Sequence, residues 1–383
     1  MSKTYQSLDR AVLSAFLLFL SGSGWAQQPA EAECLLCDEA EALIARFSLE
    51  EGDAPVRERP NWQRPVKIVT EGGEDAANFL RNVAPDAEIV GVNGPEHAAE
   101  HIADADVYFV LWCSEDVIAR GVNLRWVHKF AAGVDECVSS PEFAERNILL
   151  TNTQRVYAIP IAQHAMALML ALANKLPEYF AEQAVGTWNS FMNFREGSHI
   201  ELEGKTMFVV GLGGIGTEIA RRGHGLGMRV IATRRSSRTG PDFVDYVGLS
   251  NEMNELATQA HVVVNALPLT DETRGIFDIE FFNSLPQGAL FVNIGRGEHV
   301  KDADLISALD SGHLAGAGLD VTDPEPLPDG HPLWDHPSVI LTPHVANLSD
   351  RTMGRAGIVA IENLRRYVQG QRVLNVVDLN VGY

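Results

Sequence analysis

Three polar residues in the C-terminal half of the chain have the side chains needed to polarise a carbonyl group and to protonate its oxygen. Arg296, Glu325 and His344 follow one another at intervals of 29 and 19 residues. A guanidinium can hold a carboxylate and polarise a neighbouring carbonyl, and an imidazole can protonate the oxygen as it becomes an alkoxide. A carboxylate beside the imidazole keeps it charged. Any one of these residues alone is explained as well by a surface ion pair, but the three together predict a catalytic group.

A glycine-rich turn upstream of these residues predicts a dinucleotide site. It follows the apolar run 207–210, precedes a helical pattern, and contains Gly211, Gly213, Gly214, Ile215 and Gly216. Glycines permit a tight turn and let backbone amides approach a pyrophosphate at a helix N-terminus, where the helix dipole favours an anion. A turn without a ligand could use the same glycines, but the order of strand, turn and helix favours cofactor binding.

The next strand after this turn ends in a cluster of hydrogen-bond donors. Thr233 is followed by Arg234, Arg235, Ser236, Ser237 and Arg238, where an acidic residue would normally bind the ribose 2′-hydroxyl of NAD(H). Guanidinium groups bind a 2′-phosphate through paired hydrogen bonds, whereas a carboxylate would repel it. We therefore predict NADP(H) as the preferred cofactor and NAD(H) as the alternative. A solvated run of charge at the end of a strand is the other explanation.

The elements that must position these groups alternate in type along the chain. Short apolar runs separated by helical patterns predict parallel strands wrapped by helices. Five strands are predicted before a long apolar helix at 159–176, at 66–70, 88–92, 107–111, 126–130 and 148–152. Six follow it, at 207–210, 229–233, 261–266, 289–294, 316–320 and 338–341, which is the strand count of a complete dinucleotide-binding domain. The predicted fold class is α/β, with two doubly wound parallel-sheet domains.

The motifs around the three polar residues resemble those of the D-isomer-specific 2-hydroxyacid dehydrogenase family. They read VNIGRG at 292–297, GLDVTDPEPL at 318–327 and LTPHVA at 341–346, and the resemblance runs from residue 66 to the C-terminus. It implies a Rossmann NAD(P)-binding domain at 175–346. It also implies a discontinuous, flavodoxin-like substrate domain made of 64–174 and 347–383, on which the last helix packs.

The resemblance implies further contacts with cofactor and substrate. Five more cofactor contacts are implied, at Leu267, Pro268, Thr273, Ile294 and Asp320. Asp320 would lie near the nicotinamide amide, although a loop cap explains it nearly as well. The substrate would be bound by Arg296 and by four residues of the first domain, at Trp112, Ala132, Gly133 and Val134. The glycine would permit close approach of backbone amides, and core packing is the alternative for Trp112.

The activity that the resemblance implies is NAD(P)-dependent 2-hydroxyacid dehydrogenase, here reduction of a small 2-keto acid such as glyoxylate or hydroxypyruvate. The arginine cluster favours a glyoxylate/hydroxypyruvate reductase. A phosphoglycerate dehydrogenase-like enzyme and a non-catalytic, NAD(P)-sensing protein of the co-repressor type are the alternatives. A formate dehydrogenase is disfavoured, because Glu325 stands where that group has glutamine. The resemblance also implies a homodimer.

The first 26 residues differ in character from the rest. Lys3 and Arg10 precede an apolar run at 11–20 and small residues up to Ala26, which predicts a secretory signal peptide at 1–26. The run is shorter than the about 20 residues of a membrane span, and a buried or surface helix is the alternative. We predict a periplasmic or secreted protein if the segment directs export, and a cytoplasmic one otherwise. An exported protein would have to carry its cofactor with it or do something other than turnover.

Residues 27–63 are predicted to be an extension and linker outside the family fold. Cys34 and Cys37 lie one helical turn apart with no second close pair, so a plain helix face is favoured and no metal site is predicted. Cys113 and Cys137 are predicted to be free, buried thiols. The formal net charge of -21 argues against a nucleic-acid partner, which would need a basic surface.

Overall fold

The computed structural model describes residues 29–188 and 199–382, so the predicted signal peptide at 1–26 lies outside the described residues. The chain forms two compact units. The first comprises the described residues up to Tyr157 together with those from Ser349 onward, and the second comprises Ala158–Leu348. Among the described helices, none combines the length and the apolar composition that crossing a bilayer requires.

The first unit is built on a five-stranded parallel sheet. Its strands are β1 Lys67–Glu71, β2 Glu88–Val92, β3 Val107–Val110, β4 Trp126–Lys129 and β5 Leu149–Asn152, in the order β2-β1-β3-β4-β5. That order is the flavodoxin-like one. Strands β3, β4 and β5 are buried along their whole length, as expected when helices cover both faces of a parallel sheet. The helices are α1 Pro29–Phe47, α2 Gly73–Arg81, α3 Pro95–His101, α4 Glu115–Arg120, α5 Asp135–Val138 and α6 Glu142–Glu145, with α13 Thr352–Val368 from the C-terminal part.

The N-terminal extension is packed against the C-terminal part of the first unit. Helix α1 contacts α13, where the guanidinium of Arg355 lies 5.4 Å from the centre of the Phe47 ring. Beyond α1, Arg366 donates to Glu51 at 2.6 Å, and the indole of Trp62 donates to the carbonyl of Tyr367 at 3.1 Å. The segment predicted as a linker is therefore held by tertiary contacts along its length.

The second unit contains a seven-stranded parallel sheet. Its strands are β6 Thr206–Val210, β7 Arg229–Arg234, β8 Tyr246–Leu249, β9 Val262–Asn265, β10 Ala289–Asn293, β11 Leu314–Leu319 and β12 Val339–Leu341, in the order β12-β11-β10-β9-β6-β7-β8. From β8 to β11 this is the doubly wound, dinucleotide-binding order. Its helices are α7 Ala158–Ala173, α8 Leu176–Ala184, α9 Gly214–Gly225, α10 Met253–Ala257, α11 Ile279–Ser284 and α12 Asp302–Asp310.

Strand β8 was not predicted, so the count of six strands is corrected to seven. It is four residues long, begins at the exposed Tyr246 and contains Gly248, so the sequence has no continuous apolar run there. The strand forms by pairing in parallel with β7, in a register that begins with Ile231 opposite Tyr246. A short edge strand of this kind depends on its neighbour more than on its own composition.

The predicted domain boundary between residues 174 and 175 stays a prediction, and helix α7 lies in the second compact unit. The reason is a close approach to β11. A Cβ atom added at Gly318 would lie 2.8 Å from Cβ of Leu168, and one at Gly316 would lie 2.9 Å from Cδ2 of Leu172. The glycines let the apolar helix lie directly on the sheet, so the boundaries between the units fall at Tyr157 and Leu348.

The prediction of free thiols at Cys113 and Cys137 is wrong, because the two residues form a disulfide with their Cα atoms 5.2 Å apart. Cys113 follows β3 and Cys137 lies in α5, after β4. Since β3 and β4 are neighbours in the parallel sheet, the segments that leave their carboxyl ends are brought together. The side chain of Cys34 lies outside the described residues, so the prediction for the Cys34 and Cys37 pair stays a prediction.

Candidate active site

Glu325 and His344 form a hydrogen-bonded pair in the second unit. The Nδ1 atom of His344 lies 2.8 Å from Oε2 of Glu325, and the two side chains are 36% and 38% exposed. The other carboxylate oxygen, Oε1, accepts the amide of Thr322 at 3.1 Å. Because Nδ1 is occupied by the carboxylate, Nε2 is the atom through which His344 can exchange a proton.

The carboxyl group of Glu325 is held in its ionised form. Burial by itself would raise its pKa, but the hydrogen bond with His344 and the charge of the imidazolium outweigh that effect. The amide of Thr322 and the positive charge of Arg296 act in the same direction, so the pKa of Glu325 lies below its usual value. Arg296 and His344 therefore both act on the charge of Glu325.

A tight loop after β12 presents His344. The residue has a φ of 53°, a left-handed conformation that is unfavourable for a side chain with a Cβ atom. The amide of His344 donates to the carbonyl of Asp320 at 2.8 Å. The buried carboxylate of Asp320 accepts from the hydroxyl of Thr342 at 2.6 Å and from the amides of Val345 and Ala346 at 3.0 and 2.9 Å. These bonds hold the loop in its strained conformation.

Asp320 was predicted as a cofactor contact with a loop cap as the alternative, and its observed bonds are those of a loop cap. The residue is 2% exposed and follows β11 directly. His164 of α7 also lies 3.5 Å from its carboxylate. Contact with the nicotinamide amide stays a prediction.

The backbone around Arg296 is fixed by hydrogen bonds after β10. The amide of Arg296 donates to Nδ1 of His299 at 3.1 Å, and its carbonyl accepts from the side chain of Asn293 at 2.9 Å. The guanidinium donates to the carbonyl of Gly295 at 2.9 Å. The arginine therefore leaves the sheet in a defined direction.

Gly297 explains how this segment reaches Glu325. A Cβ atom added at Gly297 would lie 2.0 Å from the carbonyl carbon of Thr322, so only glycine permits the approach. Thr322 is the residue whose amide holds Glu325. Two motifs far apart in sequence are in this way brought into contact through their backbones.

His299 is a supporting residue that the sequence analysis missed. Its ring is fully buried, and Nδ1 accepts from the amide of Arg296 and from the side chain of Asn265 at 2.9 Å. Since Nδ1 receives two N–H groups, the ring proton is on Nε2, which donates to the carbonyl of Pro268 at 3.2 Å. One imidazole thus joins the Arg296 segment to the Pro268 loop. The available signal was a histidine three residues after Arg296.

The glycine-rich turn has the shape that a pyrophosphate site requires. Gly211 has a φ of +99°, and a Cβ atom there would lie 2.8 Å from the carbonyl oxygen of Ala266. A Cβ atom at Gly216 would lie 2.0 Å from the carbonyl oxygen of Gly211. Gly213, at the N-terminus of α9, would meet nothing within 4 Å. The turn is packed on its protein side and open where Gly214 and the half-buried Ile215 begin the helix, an arrangement that fits a dinucleotide.

The donor cluster after β7 divides into two parts. Arg234 has a buried Nε atom with no hydrogen-bond partner among the described residues, and Arg235 and Ser236 are exposed beside it. Arg238 instead lies 2.7 Å from the carboxylate of Glu252 and donates to the hydroxyl of Tyr246 at 2.9 Å. Thr233 is buried. Contacts of Arg234, Arg235 and Ser236 with a 2′-phosphate stay predictions.

The loop after β9 is closed by its own hydrogen bonds. The hydroxyl of Thr273 donates to the carbonyl of Pro268 at 2.8 Å and accepts the amide of Thr270 at 2.9 Å. The amide of Leu267 donates to the side chain of Asn265 at 3.0 Å, and Ile294 is 7% exposed. Contacts of Leu267, Pro268, Thr273 and Ile294 with a cofactor stay predictions.

The predicted substrate loop lies in the first unit, after β4. The carbonyl groups of Phe130, Ala131 and Ala132 accept hydrogen bonds from Tyr157, Thr153 and Asn152. In the part of the chain that the structure describes, the amides of Ala132, Gly133 and Val134 donate to no acceptor. The loop therefore offers backbone N–H groups to an anion. Trp112 is 64% exposed, which disagrees with ordinary core packing.

Residues 166–346 match the family model described as D-isomer specific 2-hydroxyacid dehydrogenase, NAD binding domain. The chain is 34% identical over 254 residues to the human glyoxylate reductase/hydroxypyruvate reductase, covering 66% of this chain and 76% of that one. It is 31% identical over 319 residues to a glyoxylate/hydroxypyruvate reductase A of Salmonella paratyphi B, covering 80% and 95%.

A solved structure is also similar to the chain. It is an NADPH-dependent glyoxylate/hydroxypyruvate reductase from Sinorhizobium meliloti, in complex with NADP and sulfate. The TM-score is 0.71 with 28% sequence identity, and the match covers 83% of this chain and 99% of that one.

Proposed function

Because this chain belongs to the D-isomer specific 2-hydroxyacid dehydrogenase family, whose members are NAD(P)-dependent oxidoreductases, we propose that it reduces a small 2-keto acid, glyoxylate or hydroxypyruvate, with NADPH. The observation that carries this proposal is the pairing of His344 with Glu325 at 2.8 Å within reach of the charge of Arg296. A cation, a proton donor and a counter-charge are the groups that ketone reduction needs.

Each of the three residues has a distinct task. Arg296 binds the substrate carboxylate and polarises the ketone oxygen, for which a planar guanidinium is suited. His344 donates a proton from Nε2 to the ketone oxygen, and it takes that proton back in the oxidative direction. Glu325 holds the imidazole by Nδ1 and balances its charge. When bound, the reduced nicotinamide supplies the hydride.

The residues around the glycine-rich turn would hold the cofactor. The open N-terminus of α9 at Gly213 would bind the pyrophosphate. The orphaned Nε atom of Arg234, with Arg235 and Ser236, supports NADP(H) over NAD(H), because a buried N–H group without a partner is costly unless a ligand pairs with it. The NADP-bound relative from Sinorhizobium meliloti supports the same preference.

The substrate would also be held by the loop after β4. The amides of Ala132, Gly133 and Val134 are available to a carboxylate, and we propose that they bind it. A small keto acid is favoured, because two relatives that match over most of this chain are named for glyoxylate and hydroxypyruvate.

Steady-state kinetics test the proposal. The oxidation of NADPH is followed with glyoxylate, hydroxypyruvate and phenylpyruvate, for the wild-type protein and for His344→Gln. We expect turnover with at least one of the first two acids and a loss of about 100-fold or more in kcat for the variant. His101→Gln, on the surface helix α3, is the matched control and should keep full activity. Tight NADPH binding without turnover of any of these acids would overturn the proposal and favour a nucleotide-sensing protein.

Export is proposed alongside the activity. Disulfides persist in oxidising compartments, so the bond between Cys113 and Cys137 supports the predicted signal peptide at 1–26. N-terminal sequencing of the native protein with cell fractionation tests this, and an intact Met1 or Ser2 terminus in the cytosol would refute it. Homodimer formation stays a prediction from the family resemblance, and sedimentation velocity tests it.

A further inference from the structure

The disulfide between Cys113 and Cys137 joins two segments that leave the same edge of the first sheet. Val110 and Lys129 are the last paired residues of the neighbouring strands β3 and β4. Cys113 lies three residues beyond the first, and Cys137 lies eight residues beyond the second. Because the sheet already holds the two strands, the additional covalent bond constrains the segments that follow them.

One of these segments is anchored independently of the disulfide. The amide of Leu111 donates to the buried carboxylate of Glu71 at 2.7 Å. The hydroxyl of Tyr108 donates to the same carboxylate at 2.6 Å. Glu71 belongs to β1, which neighbours β3, so the start of the Cys113 segment is tied to a second strand of the sheet.

The other segment carries the candidate carboxylate-binding loop. The carbonyl of Val134 accepts the amides of Cys137 and Val138 at 2.8 and 2.9 Å. The position of Val134 is therefore linked to Cys137 through a single turn of α5, a helix of four residues that is too short to be stable alone. An ion pair between Lys129 and Glu136 also holds this turn.

We propose that the Cys113–Cys137 disulfide is a redox-sensitive clamp, which holds the amides of Ala132, Gly133 and Val134 in place for the substrate carboxylate. The proposal rests on the proposed function of that loop. With the bond formed, the loop is ordered before substrate arrives. With the bond broken, the loop must be ordered when the substrate binds, and the free energy of that ordering weakens binding. The affinity for the substrate falls, while the groups that act on the carbonyl are unchanged.

A dithiol reductant opens the clamp. Its thiolate attacks Sγ of the partly exposed Cys113, the bond between the two protein sulfurs breaks, and Cys137 leaves as a thiolate that takes up a proton. The second thiol of the reductant then attacks the mixed disulfide and releases Cys113 as a thiol. Two electrons pass to the protein, and the reductant ends as a cyclic disulfide.

The kinetic test compares wild-type protein before and after treatment with a dithiol reductant. On reduction we expect the KM for the keto acid to rise about fivefold while kcat stays within about twofold, the pattern of lost uniform binding. The KM for NADPH should not change. Equal KM values for the keto acid in the two states would overturn the clamp.

Two variants assign the effect to this bond. Cys113→Ser/Cys137→Ala should show the high KM with or without reductant, and Cys37→Ser should respond as the wild type does. A double variant whose KM still changes on reduction would refute the assignment. Because the wild-type comparison needs no substitution, it remains decisive if the double variant folds poorly.

Hydrogen exchange of the substrate-free protein separates the clamp from the proposed activity. The amides of Cys137 and Val138 should exchange at least about tenfold faster after reduction, since opening of the turn no longer strains a covalent bond. Unchanged exchange overturns the clamp even if the enzyme is active. Faster exchange without turnover in either redox state supports the clamp and refutes the proposed reductase function.

Discussion

The amide of His344 donates a hydrogen bond to the carbonyl of Asp320 at 2.8 Å, although the two residues are 24 positions apart. The same aspartate accepts the amides of Val345 and Ala346 through its side chain. One residue at the end of β11 therefore determines where the imidazole after β12 is presented. The proposed proton donor is therefore positioned by the residue at the carboxyl-terminal end of β11.

Asp320→Asn should disorder the His344 loop. An amide oxygen cannot replace both carboxylate oxygens, so at least one N–H group loses its acceptor, at a cost of about 1–3 kcal/mol. We expect kcat to fall about tenfold or more while the KM for NADPH changes little, as measured by steady-state kinetics with thermal unfolding in parallel. A rise confined to the KM for NADPH would instead favour the direct cofactor contact implied by the family resemblance.

Glu325→Gln tests the counter-charge of the imidazole. The substitution keeps the shape of the side chain but removes its charge, so the protonated form of His344 loses its partner. We expect kcat/KM to fall about 100-fold at pH 7. The pH profile of kcat/KM measures this loss. Asp329→Asn, at an exposed position of the same segment, is the control, and a profile for Glu325→Gln that matches this control would contradict the assigned role.

Gly297→Ala tests the backbone contact that brings Arg296 towards Glu325. The added Cβ atom would lie 2.0 Å from the carbonyl carbon of Thr322, so the two segments must separate. We expect a loss of about 1–3 kcal/mol in the free energy of unfolding and a fall in kcat/KM at temperatures where the variant is folded. Gly225→Ala, where a Cβ atom meets nothing within 4 Å, should be neutral or stabilising. Full activity of folded Gly297→Ala would show that the approach is not needed.

Arg234→Ser and Arg238→Ser distinguish the two parts of the arginine cluster. Arg238 is engaged by Glu252 and Tyr246, so its loss should leave the ratio of kcat/KM for NADPH and NADH nearly unchanged. Loss of Arg234 should lower that ratio about tenfold or more, because a charge-assisted bond to the 2′-phosphate disappears. Similar ratios in the two variants, or a wild-type preference for NADH, would contradict the proposed cofactor preference.

The buried imidazole of His128 should lower the free energy of unfolding of the protein in mild acid. Its ring is fully buried among aromatic side chains, and burial lowers its pKa to about 3. The unfolded chain takes up a proton here near pH about 6.5. The contribution of His128 is therefore fully present above that pH and declines as the pH falls towards 3, by about 2 kcal/mol at pH about 5.

Denaturation by urea at pH about 7.5 and about 5 measures this effect. His128→Phe should show a shallower decline in the free energy of unfolding between the two pH values than the wild type. His101→Gln on the surface should decline as the wild type does. Equal declines for His128→Phe and the wild type would rule out the assignment.

The fold could be predicted wherever local pattern and tertiary structure agree. Most of the apolar runs at β1 to β5 and at six strands of the second sheet are buried on both faces, with β2 and β12 as exceptions. They therefore stand out in the sequence without any knowledge of their partners. Strand β8 could not be found in this way, because it is short and depends on pairing with β7. Helix α7 was recognised as a helix, but its packing on β11 could not be predicted, since it depends on glycines more than 140 positions away.

The candidate site shows the same division. The residue types and order of Arg296, Glu325 and His344 were readable from their motifs, because the chemistry restricts which side chains can serve. The supporting contacts of His299 and the engagement of Arg238 by Glu252 involve bonds that no local pattern encodes.

The sequence by itself determined the class of the two sheets, the family and the residues that could act, since these follow from periodicity and from motifs with few chemical alternatives. Only the tertiary structure decided which of these residues meet and which cysteines are joined. Distances between segments far apart in the chain depend on packing, and the close approach at Gly297 or the meeting of Cys113 with Cys137 exists only once neighbouring strands have aligned the ends from which those segments leave.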